Sequence, residues 1–367
     1  MKLIYFISGL GVGGAERQVC DLADQLSEIG HEIIIVSLTG EALFLPQNSS
    51  IPIIELRIGR SFLCSIKACI KINKLIRTFK PDVVHCHMFH AILFVRLLRI
   101  FIPIPILIST SHCVNEFSKY RMMAYRFTDR LNNLTTNVSE IARTVFIKKR
   151  AWPANKSIVM YNGINTDRFH FNKEARIAKR KELGIDEQNI VLLAVGRIVK
   201  EKDYPNLLKA FAVCNKERQN LQLLIIGSGN LFNELQTQTA ELGIAEKVFF
   251  LGQKKDVDQW MSAADLFVLS SEFEGFGLVT AEAMATGLPV VSTNCGAVTK
   301  ILENHGTIVP IKNEIALANA ILATLSNLKT EGLDKKILVA REYIINNYSI
   351  SFVANRWVEL YESFTNR

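Results

Sequence analysis

The sequence predicts an α/β protein made of two Rossmann-like, doubly wound domains. Short apolar runs of strand length alternate with helical stretches in the first half of the chain, and the alternation restarts in the second half. This alternation favours parallel sheets covered by helices on both faces. The pattern breaks near Tyr161–Phe171, which is rich in Asn, Gly and Asp. Because 367 residues suit domains of roughly 100–200 residues, we place the domains at 1–168 and 169–348.

The individual elements follow from the spacing of apolar residues. Strands are predicted in the first half at Leu3–Ile7, Glu32–Ser37, Val83–Cys86, Ile106–Thr110 and Leu134–Val138. Helices are predicted there at Ala15–Ile29, Phe62–Phe79, Phe89–Arg99 and Ser139–Lys148. In the second half the predicted strands are Ile190–Val195, Leu221–Ile226, Lys247–Leu251, Leu266–Leu269 and Val290–Ser292. The helices predicted between them are Tyr204–Arg218, Leu231–Leu242 and Leu278–Ala285.

Positive charge is concentrated in the first half. Residues 1–170 carry 21 Lys and Arg against 12 Asp and Glu, whereas the remainder carries 22 against 23. A basic domain attracts nucleic acid, an anionic membrane face or phosphorylated substrates. Since the chain has no nucleic-acid-binding motif, we expect no nucleic acid and favour membrane or phosphate.

The seven cysteines contain no CxxC pair and leave one cysteine over. This pattern argues against a disulfide framework or a zinc knuckle and favours a reducing compartment. The amino-terminal MKLIYFISGL continues into GVGGAERQ without a small-residue cleavage site, so we interpret it as a buried strand rather than a signal peptide. We therefore expect a cytoplasmic protein.

The most specific chemistry lies in residues 271–296, SEFEGFGLVTAEAMATGLPVVSTNCG. Glu274 and Glu282 are eight positions apart within a glycine-bearing loop and the helix that follows it. Such a loop can present backbone N–H groups to an anion at the positive end of the helix dipole. Glu274 would then face a transferred group while Glu282 reaches a ribose, an arrangement typical of a nucleotide-sugar site.

The frame EGFG…EAMA.G.PVV with its two glutamates resembles the signature of the retaining GT-B glycosyltransferases of family 4. This family includes bacterial enzymes of O-antigen (lipopolysaccharide), capsule and exopolysaccharide biosynthesis. The resemblance implies two Rossmann-like domains facing across a cleft, with a carboxyl-terminal helix, 349–367, returning to the acceptor-binding first domain. The helical spacing of four large residues supports that helix: Trp357, Leu360, Tyr361 and Phe364.

The resemblance also implies an activity. It implies transfer of a hexose, with retention, from a UDP- or GDP-linked donor to a polyprenyl-diphosphate-linked glycan at the inner membrane face. No separate cofactor is implied. No metal is expected either, because no paired-acid DxD loop ends a strand.

The donor diphosphate requires cations. Arg197 and Lys202 follow the strand Ile190–Val195 and match the family's VGR…EKG pattern, so that Arg197 would clamp phosphate oxygens bidentately and Lys202 would add a point charge. The alternative is that both are surface cations. Asp203 stands where the family has glycine, and Ser228 stands where it often has Asp. The remaining donor-binding candidates are Gly13, Gly14, Gly227, Gly229, Phe276, Gly277, Leu278 and Glu282.

The glycine-rich loop after the first strand is open to two interpretations. Gly9, Gly11 and Gly14 fit GxGxxG, but no acidic residue ends the second strand, which disfavours NAD. The family's GGAER pattern fits better, with Gly13 and Gly14 allowing the backbone to approach the diphosphate or the acceptor. Glu16 and Arg17 then either contact the acceptor or only complete the end of the helix.

Histidines end two of the predicted strands. His112 follows Ile106–Thr110 and resembles the family histidine that faces the donor sugar; it lies at the edge where open α/β sheets bind ligands. His85 is a weaker candidate. Together with His87 and His90 it could suggest a zinc site, but no acid or cysteine completes a convincing set of ligands.

These residues favour a same-face mechanism with Glu274, His112, Arg197 and Lys202 as the catalytic set. A double displacement needs two carboxylates at one anomeric carbon. With Glu282 assigned to ribose, only Glu274 is left near the sugar. The departing diphosphate would assist deprotonation of the acceptor hydroxyl, and stabilisation of its charge would be the main catalytic contribution.

Two basic apolar stretches, Arg60–Lys80 and Met88–Ile108, leave membrane contact open. The second is interrupted by Arg96, Arg99, Pro103 and Pro105, whereas a spanning helix needs about 20 mostly apolar residues. We therefore expect a helix, a turn and a strand. The helices of both stretches either lie on an anionic bilayer or cover a sheet with their cations in water.

Two other functions remain open at this point. A nucleotide-sugar 2-epimerase of similar fold would convert the donor without any acceptor. A non-catalytic protein would bind a sugar nucleotide or a lipid without turnover.

Overall fold

The computed structural model describes residues 1–11, 13–59, 62–114, 116, 118–328 and 330–366, except for the side chains of residues 62–65. Two compact units are formed. The first comprises Met1–Gly163 together with the segment from Ile350 onward, and the second comprises Ile164–Ser349. The division after Gly163 comes slightly earlier in the chain than the predicted boundary at 168.

The first unit contains a seven-stranded parallel sheet in the order β3-β2-β1-β4-β5-β6-β7. Its strands are β1 Lys2–Ile7, β2 Glu32–Ser37, β3 Ile53–Glu55, β4 Val83–His87, β5 Leu107–Ser111, β6 Leu134–Asn137 and β7 Ser157–Val159. Its helices are α1 Gly14–Glu28, α2 Phe62–Phe79, α3 Phe89–Leu98, α4 Lys119–Thr128, α5 Glu140–Lys148 and, at the carboxyl end of the chain, α14 Ile350–Thr365.

The second unit contains a six-stranded parallel sheet in the order β10-β9-β8-β11-β12-β13. Its strands are β8 Ile190–Val195, β9 Leu221–Ile226, β10 Val248–Gly252, β11 Leu266–Leu269, β12 Val290–Thr293 and β13 Thr307–Val309. Its helices are α6 Lys173–Glu182, α7 Tyr204–Glu217, α8 Phe232–Glu241, α9 Val257–Ala263, α10 Leu278–Thr286, α11 Val298–Leu302, α12 Glu314–Ser326 and α13 Glu331–Tyr348.

The predicted fold class is confirmed, because both sheets are parallel and reverse their strand order at an internal position. Every predicted strand is present within two residues of its expected limits. The strands that were not predicted are β3, β7 and β13, each of three residues and each at a sheet edge. An edge strand of this length buries too little side-chain surface to produce a clear apolar run.

The carboxyl-terminal stripe packs as its spacing predicts. Trp357 and Tyr361 are 3% and 0% exposed and join the core beneath β1 and α1, while Leu360 and Phe364 pack against that core from its edge. Burial of large aromatic rings contributes a few kcal/mol each. The helix α14 is therefore an integral part of the first unit, although it lies far from β1 in sequence.

The Met88–Ile108 stretch forms a helix, a turn and a strand, as expected. Arg96, however, faces neither water nor lipid. It is fully buried, donates hydrogen bonds to the Tyr125 carbonyl (3.3 Å) and the Thr135 hydroxyl (3.2 Å), and pairs with Asp129 at 3.7 Å. Of the helices in the described ranges, none has the length and apolarity that crossing a bilayer requires. Arg60 of the other stretch lies outside the described residues.

Candidate active site

The second unit has its topological switch point between β8 and β11, where the strand order reverses. Open α/β sheets bind ligands in the crevice outside the carboxyl ends of the strands at this point. The loop after β8 carries Arg197 and Lys202, and the loop after β11 carries Glu274. The fold thus places three predicted site residues at one edge of one sheet.

Lys202 and Glu274 form an ion pair across this edge. The Lys202 Nζ lies 2.5 Å from Glu274 Oε1, and the Ser271 hydroxyl donates a hydrogen bond of 2.8 Å to the same oxygen. The two charged side chains are only 17% and 11% exposed. Sequence reasoning did not single out Ser271, although its position directly after the strand and three residues before Glu274 could have drawn attention to it.

Backbone contacts hold these two loops together. The Ser270 hydroxyl donates to the Lys202 carbonyl at 2.8 Å, and the Glu272 N–H donates to the Glu201 carbonyl at 2.9 Å. Asp203, which replaces the family's glycine, has φ 45° and ψ 45° and precedes α7. This left-handed conformation explains why glycine suits the position, and aspartate is among the side chains that best tolerate it. The substitution therefore preserves the turn.

Arg197 stands apart from the ion pair. Its side chain is exposed, and among the described residues no carboxylate lies within ion-pairing distance of its guanidinium. It follows Gly196, whose carbonyl accepts a hydrogen bond from the Tyr204 hydroxyl at 3.0 Å. An exposed guanidinium without a carboxylate partner can hold phosphate oxygens bidentately.

Gly227 and Gly229 allow two backbones to touch. A Cβ on Gly227 would lie 1.9 Å from the Gly196 carbonyl oxygen, and one on Gly229 would lie 2.0 Å from the Ile198 carbonyl oxygen. The loop after β9 thus packs directly on the loop that carries Arg197. These glycines therefore allow the close packing of the two loops, which is a role that the sequence did not reveal.

The helix α10 begins beside Glu274. Gly277 precedes it with φ 88°, and a Cβ there would lie 2.5 Å from Val298 Cγ2, so this position demands glycine. Phe276 is buried at 4% exposure, and Leu278 is the first helical residue. The first N–H groups of a helix lack partners within the helix and suit an anion. Two residues after Leu278, the buried Thr280 hydroxyl has no hydrogen-bond partner among the described residues. Sequence reasoning did not identify this residue.

Glu282 lies within α10, four residues after Leu278 and about 6 Å along the helix axis. It is 2% exposed, and all residues from Thr280 to Thr286 are buried. The helix is therefore enclosed on every side in its second half. The structure brings Glu282 into the same helix that starts at the switch point, but inside the unit rather than on its surface.

The environment of Glu274 is poorly solvated. Burial, followed by the charge of Glu274, raises the pKa of the Cys295 thiol to about 11. The same two causes raise the pKa of the Tyr204 hydroxyl well above its ordinary range. Both neighbours therefore remain neutral at physiological pH, and Lys202 provides the compensating charge.

The first unit has its own switch point between β1 and β4. His85 and His87 lie on β4, and His112 directly follows β5. His87 Nδ1 and His112 Nε2 are 3.1 Å apart and share one hydrogen bond, and the His85 and His87 rings lie 4.0 Å apart between centroids. The fold thus joins the predicted His112 to the weaker candidate His85 through His87.

A buried hydroxyl network extends this cluster to the carboxyl-terminal helix. His85 Nδ1 is 2.7 Å from the Tyr361 hydroxyl, which is 3.0 Å from the Tyr5 hydroxyl. His85 Nε2 is 2.6 Å from the Thr110 hydroxyl, which continues to Thr136 at 2.6 Å. Both nitrogens of His85 are therefore occupied within the protein, which makes it a structural rather than a substrate-contacting histidine.

Burial keeps these imidazoles uncharged. It lowers the pKa of His112 to about 4 and lowers the pKa values of His85 and His87 well below 6.5, with neighbouring histidine charges adding to the effect for these two. His112 Nδ1 and His87 Nε2 are buried without a hydrogen-bond partner among the described residues. A neutral imidazole with a vacant nitrogen can donate to or accept from a sugar hydroxyl without adding charge. Within the described ranges, no group of three or more His, Cys, Asp or Glu side chains could hold a metal ion.

In the glycine-rich loop of the first unit, the Glu16 side chain lies close to the backbone of Gly13. A Cβ on Gly13 would lie 2.5 Å from Glu16 Oε2, and Gly14 is the first residue of α1. The Arg17 guanidinium lies over the Phe44 ring at 5.7 Å. The Glu16 carboxylate thus lies against Gly13, in an extended stretch of backbone (φ −168°). Val12 of this loop lies outside the described residues.

Comparison with known proteins extends this picture beyond the chain itself. The family described as "Glycosyltransferase Family 4" matches residues 12–168, and the family described as "Glycosyl transferases group 1" matches residues 175–335. The first match contains the histidine cluster, and the second contains Arg197, Lys202, Glu274 and Glu282. Together the two matches span most of the chain.

Individual relatives agree with these matches. The chain is 33% identical to an uncharacterized glycosyltransferase of Methanocaldococcus jannaschii, over 57% of this chain and 55% of that protein. It is 26% identical to the GalNAc-alpha-(1->4)-GalNAc-alpha-(1->3)-diNAcBac-PP-undecaprenol alpha-1,4-N-acetyl-D-galactosaminyltransferase of Campylobacter jejuni, over 98% of both.

The fold is shared with HepE of Anabaena, whose crystal structure contains UDP-glucose. The TM-score is 0.86 at 22% identity, and the alignment covers 99% of this chain and 100% of HepE. Each unit has a parallel sheet with its own switch point, and the two family matches together span most of the chain. The chain therefore belongs to the retaining, nucleotide-sugar-dependent GT-B glycosyltransferases of family 4.

Proposed function

We propose that this enzyme transfers a hexose from a UDP- or GDP-sugar to a polyprenyl-diphosphate-linked glycan during bacterial surface polysaccharide synthesis. In this proposal the second unit binds the donor and the first unit binds the acceptor. The enzyme would act in the cytoplasm, with peripheral contact at the inner membrane face. The Campylobacter relative is named for a lipid-diphosphate-linked acceptor, and the Anabaena structure holds UDP-glucose, which supports both halves of the proposal.

The observation that carries the donor assignment is the Lys202–Glu274 pair at the switch point, with the exposed Arg197 on the same loop as Lys202. A diphosphate arriving at this edge would bind Arg197 bidentately and attract Lys202, while the amino end of α10 adds N–H donors around Leu278. Glu274 would then face the sugar. The uncharged His112 would hydrogen-bond to a sugar hydroxyl.

The proposed reaction proceeds on one face of the sugar. The bond between the anomeric carbon and the diphosphate oxygen breaks as the acceptor oxygen forms its bond on the same face. The proton of the acceptor hydroxyl passes to the departing phosphate oxygen. Arg197 and Lys202 stabilise the charge on that leaving group, and a preorganised donor of this kind contributes about 10²–10³-fold in rate.

The test uses purified protein, a panel of UDP-, GDP- and ADP-sugars, and a polyprenyl-diphosphate glycan as acceptor. Glu274→Ala and Arg197→Ala should each reduce transfer by about 10²-fold or more while the chain stays folded. The melting temperature should be unchanged for Arg197→Ala and lower for Glu274→Ala, because that variant leaves Lys202 without its partner. Lys312→Ala provides the control, because Lys312 is an exposed cation whose Nζ pairs with Glu272.

The anomeric configuration of the product, measured by NMR, tests the mechanism: an inverted linkage would exclude it. Turnover retained by both site variants would refute the site. Incubation of the donor alone tests the 2-epimerase alternative, since an isomerised donor in the absence of acceptor would replace transfer as the activity.

A further inference from the structure

We propose that α4, together with the carboxyl end of α3, forms a docking face for an anionic phospholipid bilayer. This inference rests on the proposed lipid-linked acceptor and names the surface that would bring the enzyme to it. The described helices include none that could span a membrane, and the inference concerns a surface of the folded protein.

Large apolar side chains project from this face into solvent. On α4, Tyr120, Met123 and Phe127 are 83%, 50% and 68% exposed and recur at i, i+3 and i+7, which places them on one side of the helix. At the end of α3, Ile100 and Phe101 are 57% and 82% exposed. An aromatic and aliphatic row of this kind is costly in water and suits the interfacial region of a bilayer.

The helices α3 and α4 pack side by side within the first unit. The Phe89 and Tyr125 rings pack at 5.3 Å, and the Arg121 guanidinium lies 4.6 Å from the Phe89 ring centroid. Further along, Arg96 bonds to the Tyr125 carbonyl and to Thr128. The buried sides of both helices are thus fixed against each other, and their apolar outer sides remain free.

The charge of the face complements an anionic surface. Between Met88 and Arg130, the described acidic residues are Glu116 and Asp129, both 8% exposed and both in ion pairs with arginines. The exposed charges in this segment are cations: Lys119, Arg126 and Arg130. Cations near a bilayer surface add attraction to anionic lipids, which apolar contact alone does not provide.

The cations available to an anionic bilayer differ from those that the sequence suggested. Arg96 is buried, and Arg99 donates to the carbonyls of Ile104, Pro105 and Leu131. The basic residues of α3 are therefore used within the protein. The cations that face outward are Lys119 and Arg126 of α4, a helix that was not predicted from the sequence, and Arg130 shortly after it.

The docking face is linked to the candidate acceptor site by Glu116. This carboxylate accepts hydrogen bonds from Arg121 and from the Tyr125 hydroxyl, both at 3.1 Å. It ties the segment that begins at His112 to the buried side of α4. A bilayer bound at α4 would thus lie next to the loop that carries His112.

The experiment measures co-sedimentation of the full chain with vesicles of phosphatidylcholine alone and of an equimolar mixture with phosphatidylglycerol. The wild type should bind the anionic vesicles in a salt-sensitive manner. Tyr120→Ser/Met123→Ser/Phe127→Ser should lower the partition coefficient by about tenfold or more. The matched control is Leu338→Ser/Val339→Ser on α13, where the residues are 62% and 51% exposed, and it should bind like the wild type.

Circular dichroism and binding of UDP-glucose or GDP-mannose by calorimetry accompany the test on every variant. Equal vesicle binding by wild type and triple variant, or none by the wild type, would overturn the inference while nucleotide-sugar binding leaves the proposed function standing. Vesicle binding that depends on these residues, in a protein that binds no nucleotide sugar, would support the docking face and contradict the proposed function. If sedimentation equilibrium shows a dimer that the triple variant dissociates, a second copy is the occupant and the bilayer is excluded.

Discussion

The two switch-point sites of the molecule use opposite electrostatic designs. In the second unit, Lys202 and Glu274 form an ion pair at 2.5 Å, and the exposed Arg197 lies on the same loop as Lys202. In the first unit, His85, His87 and His112 are all kept neutral by burial and are connected by hydrogen bonds. Similar parallel sheets therefore present a charged edge in one unit and an uncharged polar edge in the other.

This difference matches the chemistry proposed for each side. A diphosphate leaving group carries negative charge that must be stabilised, so cations are held ready where it would bind. Recognition of sugar hydroxyls needs hydrogen bonds, and an imidazolium in the same place would add charge without a partner. The comparison predicts that the second unit depends on charge balance, whereas the first depends on hydrogen bonding and on pH.

The largest effect on stability is expected from breaking the charged edge. Lys202→Met leaves the buried Glu274 carboxylate, which is 9% exposed, without its cation. This should lower the free energy of unfolding by about 3 kcal/mol. Lys312→Met is the matched control, because its pair with Glu272 involves a lysine that is 60% exposed and should contribute at most about 1 kcal/mol. Urea unfolding followed by circular dichroism measures both. Equal losses would show that charge balance at Glu274 has no special weight.

Acid should destabilise the first unit by protonating its buried histidines. The pKa of His112 is lowered from 6.5 to about 4, so the unfolded chain binds its proton first. Stability is therefore full above about pH 6.5 and falls as the pH drops towards 4, by on the order of 3 kcal/mol for this residue. His85 and His87 change stability in the same direction. Unfolding free energies measured across this range check the slope.

His112→Asn should make that acid slope shallower. The side chain of asparagine stays polar but does not titrate, so the contribution of His112 disappears from the pH dependence. An unchanged slope in this variant would mean that other groups cause the loss of stability in acid.

The smallest effect is expected from the network behind the histidines. Tyr361→Phe removes the hydroxyl that lies between His85 Nδ1 and the Tyr5 hydroxyl. It leaves buried polar atoms without partners, which should cost about 1–3 kcal/mol. Tyr120→Phe, at an 83% exposed position, should leave the unfolding free energy unchanged. If the two variants behave alike, the buried hydroxyl bridge does not stabilise the first unit.

The sequence predicted most where its signal was local. Leu266–Leu269 and Ile190–Val195 match β11 and β8 in full, because central strands of a parallel sheet are apolar on both faces. The glycine frame around Glu274 predicted the loop and the start of α10 in the same way. Edge strands such as β13 and the helix α4 were not predicted, since their burial depends on neighbours from elsewhere in the chain.

What the sequence by itself determined was the order of the longer strands, their division between two sheets and the residues that end these strands, because these depend on short-range periodicity and turn chemistry. The tertiary structure alone decided which of those residues meet. Glu274 pairs with Lys202 from a different loop, His85 meets Tyr361 of the last helix, and Arg96 turns inward. Such contacts follow from the strand order of a sheet and from the burial of its helices, which no local pattern of residues records.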